Sequence, residues 1–208
     1  MPAKRLSLWP EERVELKNLR RTDGPEGNGF EANVYIDGKF SGSLYDDGWG
    51  GEMEAVDSQG AEPGSLIRRL GELAAMARPT EPAFEYDEVI QPDWECFACR
   101  CVDFAFQYQE LDKAFKTKAL WINKDNELVE SPHLPADEVA RLKRDPDYAR
   151  RKCPSPSGII LNILPLQEAR RLFVRATLFG DDLTQPDPYD SLLQNNDKPR
   201  HPDPDHAP

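Results

Sequence analysis

The sequence lacks any apolar run of about 18 residues, the length that a membrane-spanning helix requires. Residues 1–6 also lack the apolar region of a secretory signal peptide. Both absences argue against insertion into a membrane and against secretion, so we expect a cytoplasmic protein. In the cytoplasm the four cysteines are expected to be thiols rather than disulfides.

Histidine is scarce as well: the chain has three, and His133 is the only one before the C-terminal segment. Nucleophilic catalysis needs a base beside a nucleophile, together with a group that orients the base. Cys153, His133 and Asp137 can be written as such a triad, but a chain with four cysteines and many aspartates permits a triple of this kind by chance. The sequence therefore favours a solvated loop histidine at position 133, and no enzymatic activity is expected.

Three of the four cysteines fall within residues 96–101, which raises the question of a zinc site. Structural zinc takes four converging ligands, commonly from two cysteine pairs, and only one pair is present here. This pair lies in a predicted helix, where Cys101 is rotated about 160° from Cys99 at about 100° per residue. Cys101 is therefore predicted to be a small buried hydrophobic residue, and no cofactor is expected. The weak metal-binding candidates, which define an alternative thiol or zinc enzyme, are Cys96, Cys99, Cys153 and His133.

Negative charge, by contrast, is abundant and unevenly distributed. The chain has a net charge of −12, yet residues 26–110 carry −13 and residues 111–180 carry +4. Such asymmetry bears on the choice of partners rather than on the fold. An acidic region repels nucleic acid and anionic membranes and attracts basic proteins.

The apolar content sets the predicted boundaries of the folded part. Residues 185–208 contain six prolines and only four apolar residues, too few to offset the entropy lost on ordering. We therefore expect a flexible N-terminus over residues 1–9, one folded domain over residues 10–182, and a Pro/Asp-rich disordered tail over residues 183–208.

Strand patterns dominate the N-terminal third. Val14 and Leu16 alternate with charged residues and predict a first strand. Residues 30–36 and 40–45 flank Asp37-Gly38, a strong hairpin signal because the favoured two-residue turn needs positive φ at both central positions. Residues 52–57 predict a fourth strand.

Helical patterns dominate the rest of the chain. A helix is predicted from Ser65, as its cap, to a stop at Pro79. Residues 94–115 carry an apolar stripe at intervals of three and four over about six turns. A second hairpin over residues 119–130, a basic helix over residues 135–144 and a final helix that carries Leu166, Ala169, Phe173 and Ala176 follow. This order predicts an α+β fold, with an N-terminal antiparallel sheet packed by the long central helix and by smaller C-terminal helices.

Residues 30–39 and 46–51 resemble the N-terminal motif of a group of small uncharacterised proteins encoded by phages and plasmids. Members share an opening strand, a hairpin with Asn-Gly or Asp-Gly followed by Lys, an acidic glycine-rich turn and a basic, helical C-terminal half. Here Asp37-Gly38-Lys39 corresponds to the hairpin. This chain departs from the group in its tail and at Glu52, where a Cys or a small residue often follows the glycines. The resemblance implies a mobile genetic element and brings no reaction or site with it.

The acidic turn at residues 46–51 is the main candidate for a partner site. It has too few spaced oxygen ligands for a calcium loop, and its glycines do not precede a helix with a lysine, as a phosphate loop requires. Trp49 is predicted to be either a lid folded over the core or an exposed anchor for a partner. The residues expected to contact a partner are Asp46, Asp47, Trp49, Glu52, Glu54 and Asp57.

One basic cluster provides an alternative contact, with nucleic acid. Its members are Arg141, Lys143, Arg144, Arg150, Arg151 and Lys152. Acidic residues are interleaved with them, and no series of aromatic residues accompanies them as on a base-stacking surface. A match between this cluster and the chain's own acidic region, within one molecule or between two, is at least as well supported.

These features together predict a non-enzymatic acidic protein of a mobile element that binds and modulates a basic host protein, such as a nucleic-acid-handling or CRISPR-type defence enzyme. The alternatives are a nucleic-acid-associated protein that uses the 141–152 segment, and a thiol- or zinc-dependent enzyme. We expect a monomer or a homodimer without a membrane partner, and the charge argues against nucleic acid as the main partner.

Overall fold

The computed structural model describes residues 8–23, 28–79, 91–153 and 158–181, together with residues 183, 185, 187 and 189. These residues form two antiparallel sheets and five α-helices, which confirms the predicted α+β class. None of the described helices combines the length and the apolar composition needed to cross a bilayer.

The chain divides into two compact units. The first unit comprises residues 1–102 and 187–208, and the second comprises residues 103–186. The first unit contains 25 Asp and Glu against 13 Lys and Arg, whereas the second contains 13 of each. The whole net charge of −12 therefore resides in the first unit.

Four strands form the sheet of the first unit, and each pairs with the next along the chain. They are β1 (Val14–Asp23), β2 (Asn28–Ile36), β3 (Lys39–Asp46) and β4 (Glu54–Asp57). The predicted turn between β2 and β3 is confirmed, because Asp37 and Gly38 have φ of 52° and 75°. Asp37 also accepts two hydrogen bonds from the Arg13 guanidinium, at 2.8 and 2.9 Å, which hold the pKa of its carboxyl below the ordinary value.

The inner face of this sheet is apolar, and helix α1 (Ser65–Ala74) packs on β3 and β4. Alternation along β2 and β3 buries Val34, Ile36 and Leu44. Gly42 has a φ of 147°, and a Cβ on it would lie 2.1 Å from the backbone oxygen of Val56. A side chain at position 42 would thus separate β3 from β4.

The start of α1 differs from the prediction. Ser65 is the first helical residue rather than the cap. The N-cap position is occupied by Gly64, which has no side chain to accept a hydrogen bond from the helix. Asp57, at the end of β4, accepts hydrogen bonds from the Gly64 N–H (2.6 Å), the Ser65 hydroxyl (3.0 Å) and the Leu66 N–H (2.7 Å). These donors lower the pKa of Asp57. Both carboxylate oxygens of Asp57, a predicted partner contact, thus accept hydrogen bonds within the first unit.

An Asp57→Ala substitution is expected to lower the melting temperature at pH 7, because it leaves helix N–H groups without an acceptor. A lowered folded-state pKa makes this stabilisation present at neutral pH and lost as the pH falls through that pKa. The difference from the wild type should therefore shrink in acid, as measured by thermal unfolding at several pH values. Glu54→Ala, on the same strand and exposed, is the control; an equal loss of stability in both variants would contradict the capping role.

Helix α2 (Trp94–Ala114) extends from the first unit into the second, and its first nine residues belong to the first. The predicted helix is confirmed, without a break. The prediction that Cys101 is buried is also confirmed, and Phe97, Phe104 and Leu111 of the stripe are buried with it.

The second unit contains a three-stranded sheet and three further helices. Strand β5 (Leu120–Ile122) pairs with both β6 (Leu128–Glu130) and β7 (Ile159–Ile160). The helices are α3 (Ala136–Arg144), α4 (Pro146–Lys152) and α5 (Leu166–Thr177). Strand β7 and helix α4 were not predicted. One hydrophobic core of the second unit contains residues from α3, α4, β5 and β7 together with Ala119, which precedes β5. Its buried members are Ala119, Trp121, Leu142, Ala149 and Ile160.

Candidate functional site

The outer face of the first sheet carries large apolar side chains that remain exposed. Phe40 is 48%, Tyr45 43% and Val56 56% exposed. Residues directly opposite one another on paired strands share a face, and Phe40 pairs with the half-buried Tyr35, with their ring centres 5.4 Å apart. Exposed aromatic side chains grouped on one face are typical of an interaction surface.

Carboxylates lie on both sides of Tyr45, one on each neighbouring strand. Tyr45 pairs with Glu31 on β2 and with Glu54 on β4, and both glutamates are exposed. At another position on the same face, the ammonium of Lys17 lies 4.3 Å from the centre of the Tyr35 ring. The ring of Tyr35 is thus already occupied by a cation of this chain, whereas Tyr45 lies between two carboxylates.

The turn after β3 presents Trp49. The carboxylates of Asp46 and Asp47 accept hydrogen bonds, each 2.8 Å long, from the backbone N–H groups of Gly48 and Trp49 respectively. These two Asx turns fix the local backbone while the Trp49 side chain remains 66% exposed. The lid alternative is therefore wrong, and Trp49 is an exposed side chain.

The structure thus changes the predicted set of contact residues. Asp47, Trp49, Glu52 and Glu54 are exposed, and Asp46 is half-buried in the turn. Sequence reasoning missed the outward-facing members of the strands themselves. Those residues are Glu31, Tyr35, Phe40, Tyr45 and Val56. A signal was present for Tyr35 and Tyr45, because apolar residues occupy both parities of β2 and β3, and one parity must face away from the core. Phe40 has the same parity as the buried Leu44 and faces outward because the register shifts between Val34 and Tyr35.

The basic cluster of the second unit is partly neutralised by its own acidic neighbours. Lys152 pairs with Glu138 at 3.0 Å, which raises the pKa of the lysine and lowers that of the glutamate. Arg141 lies 3.7 Å from the carboxylate of Asp145, and its guanidinium also stacks 4.2 Å from the centre of the Tyr148 ring. A further pair, at 3.2 Å, joins Arg150 to Asp147. Ion pairs inside the cluster reduce the charge available to phosphates; Lys143, Arg144 and Arg151 are the exposed members outside these pairs.

The cysteines do not form a metal centre within the described part of the chain. Cys96 and Cys99 are exposed on α2, and Cys101 is buried, which raises the pKa of its thiol. His133 is exposed in its loop, and Cys153 packs half-buried against the core of the second unit. Among all residues that the structure describes, no three His, Cys, Asp or Glu side chains are grouped so that they could hold a metal ion.

The first unit also contains a buried polar cluster that the sequence did not reveal. The Tyr189 hydroxyl donates to Glu11 Oε1 at 2.7 Å and accepts from the Arg78 N–H at 3.1 Å. The Arg100 guanidinium donates to the Arg78 carbonyl at 2.6 Å and to Glu11 Oε1 at 3.3 Å. Burial is the main reason that the pKa values of Glu11 and Tyr189 are raised. The ring of Tyr189 stacks on Trp9, with ring centres 4.6 Å apart.

This cluster corrects the predicted boundaries of the folded part. Trp9 was assigned to the flexible N-terminus and Tyr189 to the disordered tail, yet their exposed fractions are 0% and 1%. Both assignments are wrong at these residues, because two stacked aromatic rings bury enough surface to fix otherwise polar segments. Residues 1–7 and 190–208, which belong to the same two predictions, lie outside the described residues.

In comparisons with known proteins, no protein-family model, no curated protein and no solved structure matches this chain.

Proposed function

We propose that this chain is a non-enzymatic protein that binds a basic partner protein through the outer face of its four-stranded sheet. The contact surface, called the acidic aromatic face below, consists of Tyr35, Phe40, Tyr45 and Val56, the carboxylates of Glu31 and Glu54, and the adjoining turn with Trp49. The observation that carries the proposal is the exposed Tyr45 between two carboxylates.

Each part of this face has a role in such a complex. Aromatic side chains that lose their water on binding supply much of the affinity of protein interfaces. An arginine of the partner stacked on Tyr45 would have the carboxylates of Glu31 and Glu54 on neighbouring strands, and guanidinium groups combine stacking with paired hydrogen bonds to carboxylates. The same carboxylates repel phosphates, which disfavours nucleic acid as the ligand of this face.

The charge of the first unit supports the same conclusion at longer range. All of the net −12 resides there, so a cationic partner is attracted before contact is made. Enzymes that handle nucleic acid need cationic surfaces, and a protein that covers such a surface modulates the enzyme. The further proposal that this chain serves a mobile genetic element rests on the resemblance of residues 30–39 and 46–51 alone.

The aromatic part of the proposal is tested with a Tyr45→Ala/Trp49→Ala double variant. Each such residue at the centre of an interface is worth about 2 kcal/mol, so partner affinity is expected to fall by at least about 30-fold. The full-length tagged chain is used to capture partners from host lysate, the dominant protein is identified and purified, and its dissociation constant is measured calorimetrically for each variant. Ile67→Ala, which truncates an exposed apolar residue on α1, is the matched control.

Two results would contradict the proposal: equal affinity of the double variant and the wild type, or a captured partner that is acidic. A short DNA duplex at physiological salt provides a direct comparison. Tight binding of the duplex that is lost on neutralising Lys143, Arg144 and Arg151 would favour the nucleic-acid alternative instead.

A further inference from the structure

The second unit contains a cleft that the proposed protein-binding function does not use. Its volume is about 520 Å³, within the range of small-molecule sites. It is bounded by the end of α2 and the residues that follow, by α3, by the turn before α5 and by the start of α5. Phe115, Ile163, Leu164 and Leu166 give it an apolar lining, and Leu166 remains 50% exposed.

Two lysines, Lys116 and Lys143, line the same cleft. Within the described residues neither ammonium has an ion pair or a hydrogen bond, whereas the neighbouring Lys118 and Lys152 are paired with Glu130 and Glu138. Uncommitted cations beside apolar surface are thus a particular feature of this cleft.

Two other polar side chains line the cleft: Asn162 is hydrogen-bonded, whereas Asp112 is paired through one oxygen only, and its buried Oδ1 has no hydrogen-bond partner among the described residues. The carboxylate of Asp112 accepts a hydrogen bond from Arg170 at 2.6 Å, and this ion pair offsets its charge. The Asn162 side chain accepts from the Leu120 N–H at 2.6 Å and donates to the Lys118 carbonyl at 3.1 Å. A ligand would therefore meet the ammonium groups of Lys116 and Lys143 beside the ion-paired Asp112.

We infer that this cleft binds a small amphipathic carboxylate of the fatty-acid class. The carboxylate lies between the two ammonium groups, which donate charge-assisted hydrogen bonds to it. The alkyl chain covers Phe115, Ile163 and Leu166 and removes their apolar surface from water. The inference is independent of the acidic aromatic face, which belongs to the first unit.

The test is a calorimetric titration of the full-length protein with octanoate, below its micellar concentration, and with two comparison ligands. Octylammonium has the same chain with the opposite charge, and acetate has the same head group without the chain. Octanoate is expected to saturate one site, and both comparison ligands are expected to bind at least about ten-fold more weakly, because each lacks one of the two recognised features. Amide chemical-shift changes with octanoate should include Lys116 and Leu166.

Variants then separate this site from adventitious binding. Lys116→Gln/Lys143→Gln is expected to weaken octanoate binding by about ten-fold or more. Lys124→Gln/Arg151→Gln removes two exposed cations of the same unit outside the cleft and should leave the affinity unchanged. The inference is overturned if octanoate does not bind, if octylammonium binds equally well, or if both double variants behave alike. None of these results bears on the acidic aromatic face, so the two proposals fail separately.

Discussion

A Tyr189→Ala substitution is expected to lower the free energy of unfolding by about 3–5 kcal/mol, the range for truncating a large buried aromatic residue. Tyr189 is 1% exposed, stacks on Trp9, and donates its hydroxyl hydrogen to Glu11. Truncation removes the stacked ring and leaves a buried carboxylate with one donor fewer. Urea unfolding followed by tryptophan fluorescence measures the effect, since Trp9 is itself a reporter.

Two companion variants separate the contributions at this position. Tyr189→Phe keeps the ring and removes only the hydroxyl, so the expected loss is about 1–3 kcal/mol for the unsatisfied buried partner. Tyr45→Ala truncates an exposed tyrosine of the same unit and should change stability by less than about 1 kcal/mol.

Deleting residues 185–208 should destabilise the protein about as much as Tyr189→Ala, contrary to the expectation from composition. An unchanged melting temperature would show that Tyr189 does not anchor this segment.

A Phe104→Ala substitution is expected to cost about 3–5 kcal/mol as well, through a cavity in the second unit. Phe104 is 3% exposed, and its ring centre lies 5.9 Å from those of both Tyr108 and Phe179. Few local changes can refill a space between two aromatic rings, because protein interiors are close-packed. The free energy of unfolding measured in urea, with an unchanged m-value, gives the comparison.

Gln109→Ala, an exposed substitution on the same helix, is the control for Phe104→Ala and should be nearly neutral. A cost below about 1 kcal/mol for Phe104→Ala would mean that this face of α2 is not part of a packed core. The apolar stripe would then be an exposed surface.

Local rules predicted most of the first sheet. Asp37-Gly38 determined the hairpin between β2 and β3 because few residues other than Gly, Asn and Asp adopt positive φ at low cost. The same rules did not show that the outer face is aromatic. The sequence alone indicates which positions of a strand alternate between the two faces. The exposed fractions of Phe40 and Tyr45 depend instead on which elements pack on each side of the sheet.

Long-range contacts explain the errors at the chain ends. Trp9 and Tyr189 are 180 positions apart, and each stands in a segment too polar to fold by itself. The composition of such a segment correctly predicts that most of it does not fold by itself. A single aromatic residue within it is nevertheless buried where it packs against a distant aromatic residue. The hydrogen bonds of Asp57 to the start of α1 were missed for a similar reason, since their donors lie seven to nine residues further along the chain.

The candidate site was predicted in part. Trp49 and its flanking carboxylates follow from a glycine-rich turn with no metal or phosphate signature. The sequence could not decide between a buried and an exposed Trp49, because the Asx turns at Asp46 and Asp47 are compatible with either; only the packing of the folded unit places the ring in solvent.

The most direct test of the acidic aromatic face is the rate of association with the purified basic partner as a function of salt. Glu31→Lys/Glu54→Lys reverses the carboxylates beside Tyr45, and Glu72→Lys/Asp125→Lys makes the same change in net charge elsewhere on the surface. Stopped-flow rates are measured from about 10 mM to about 150 mM salt, which shortens the Debye length from about 30 Å to about 8 Å.

The expected result is a wild-type rate that falls steeply with salt, a clearly slower and less salt-dependent rate for Glu31→Lys/Glu54→Lys, and a nearly wild-type rate for Glu72→Lys/Asp125→Lys. Equal slowing of both variants would show that only the net charge matters, and a wild-type rate independent of salt would show that charge does not guide the encounter. Either result would contradict binding of a basic protein at the face formed by Glu31, Tyr45 and Glu54.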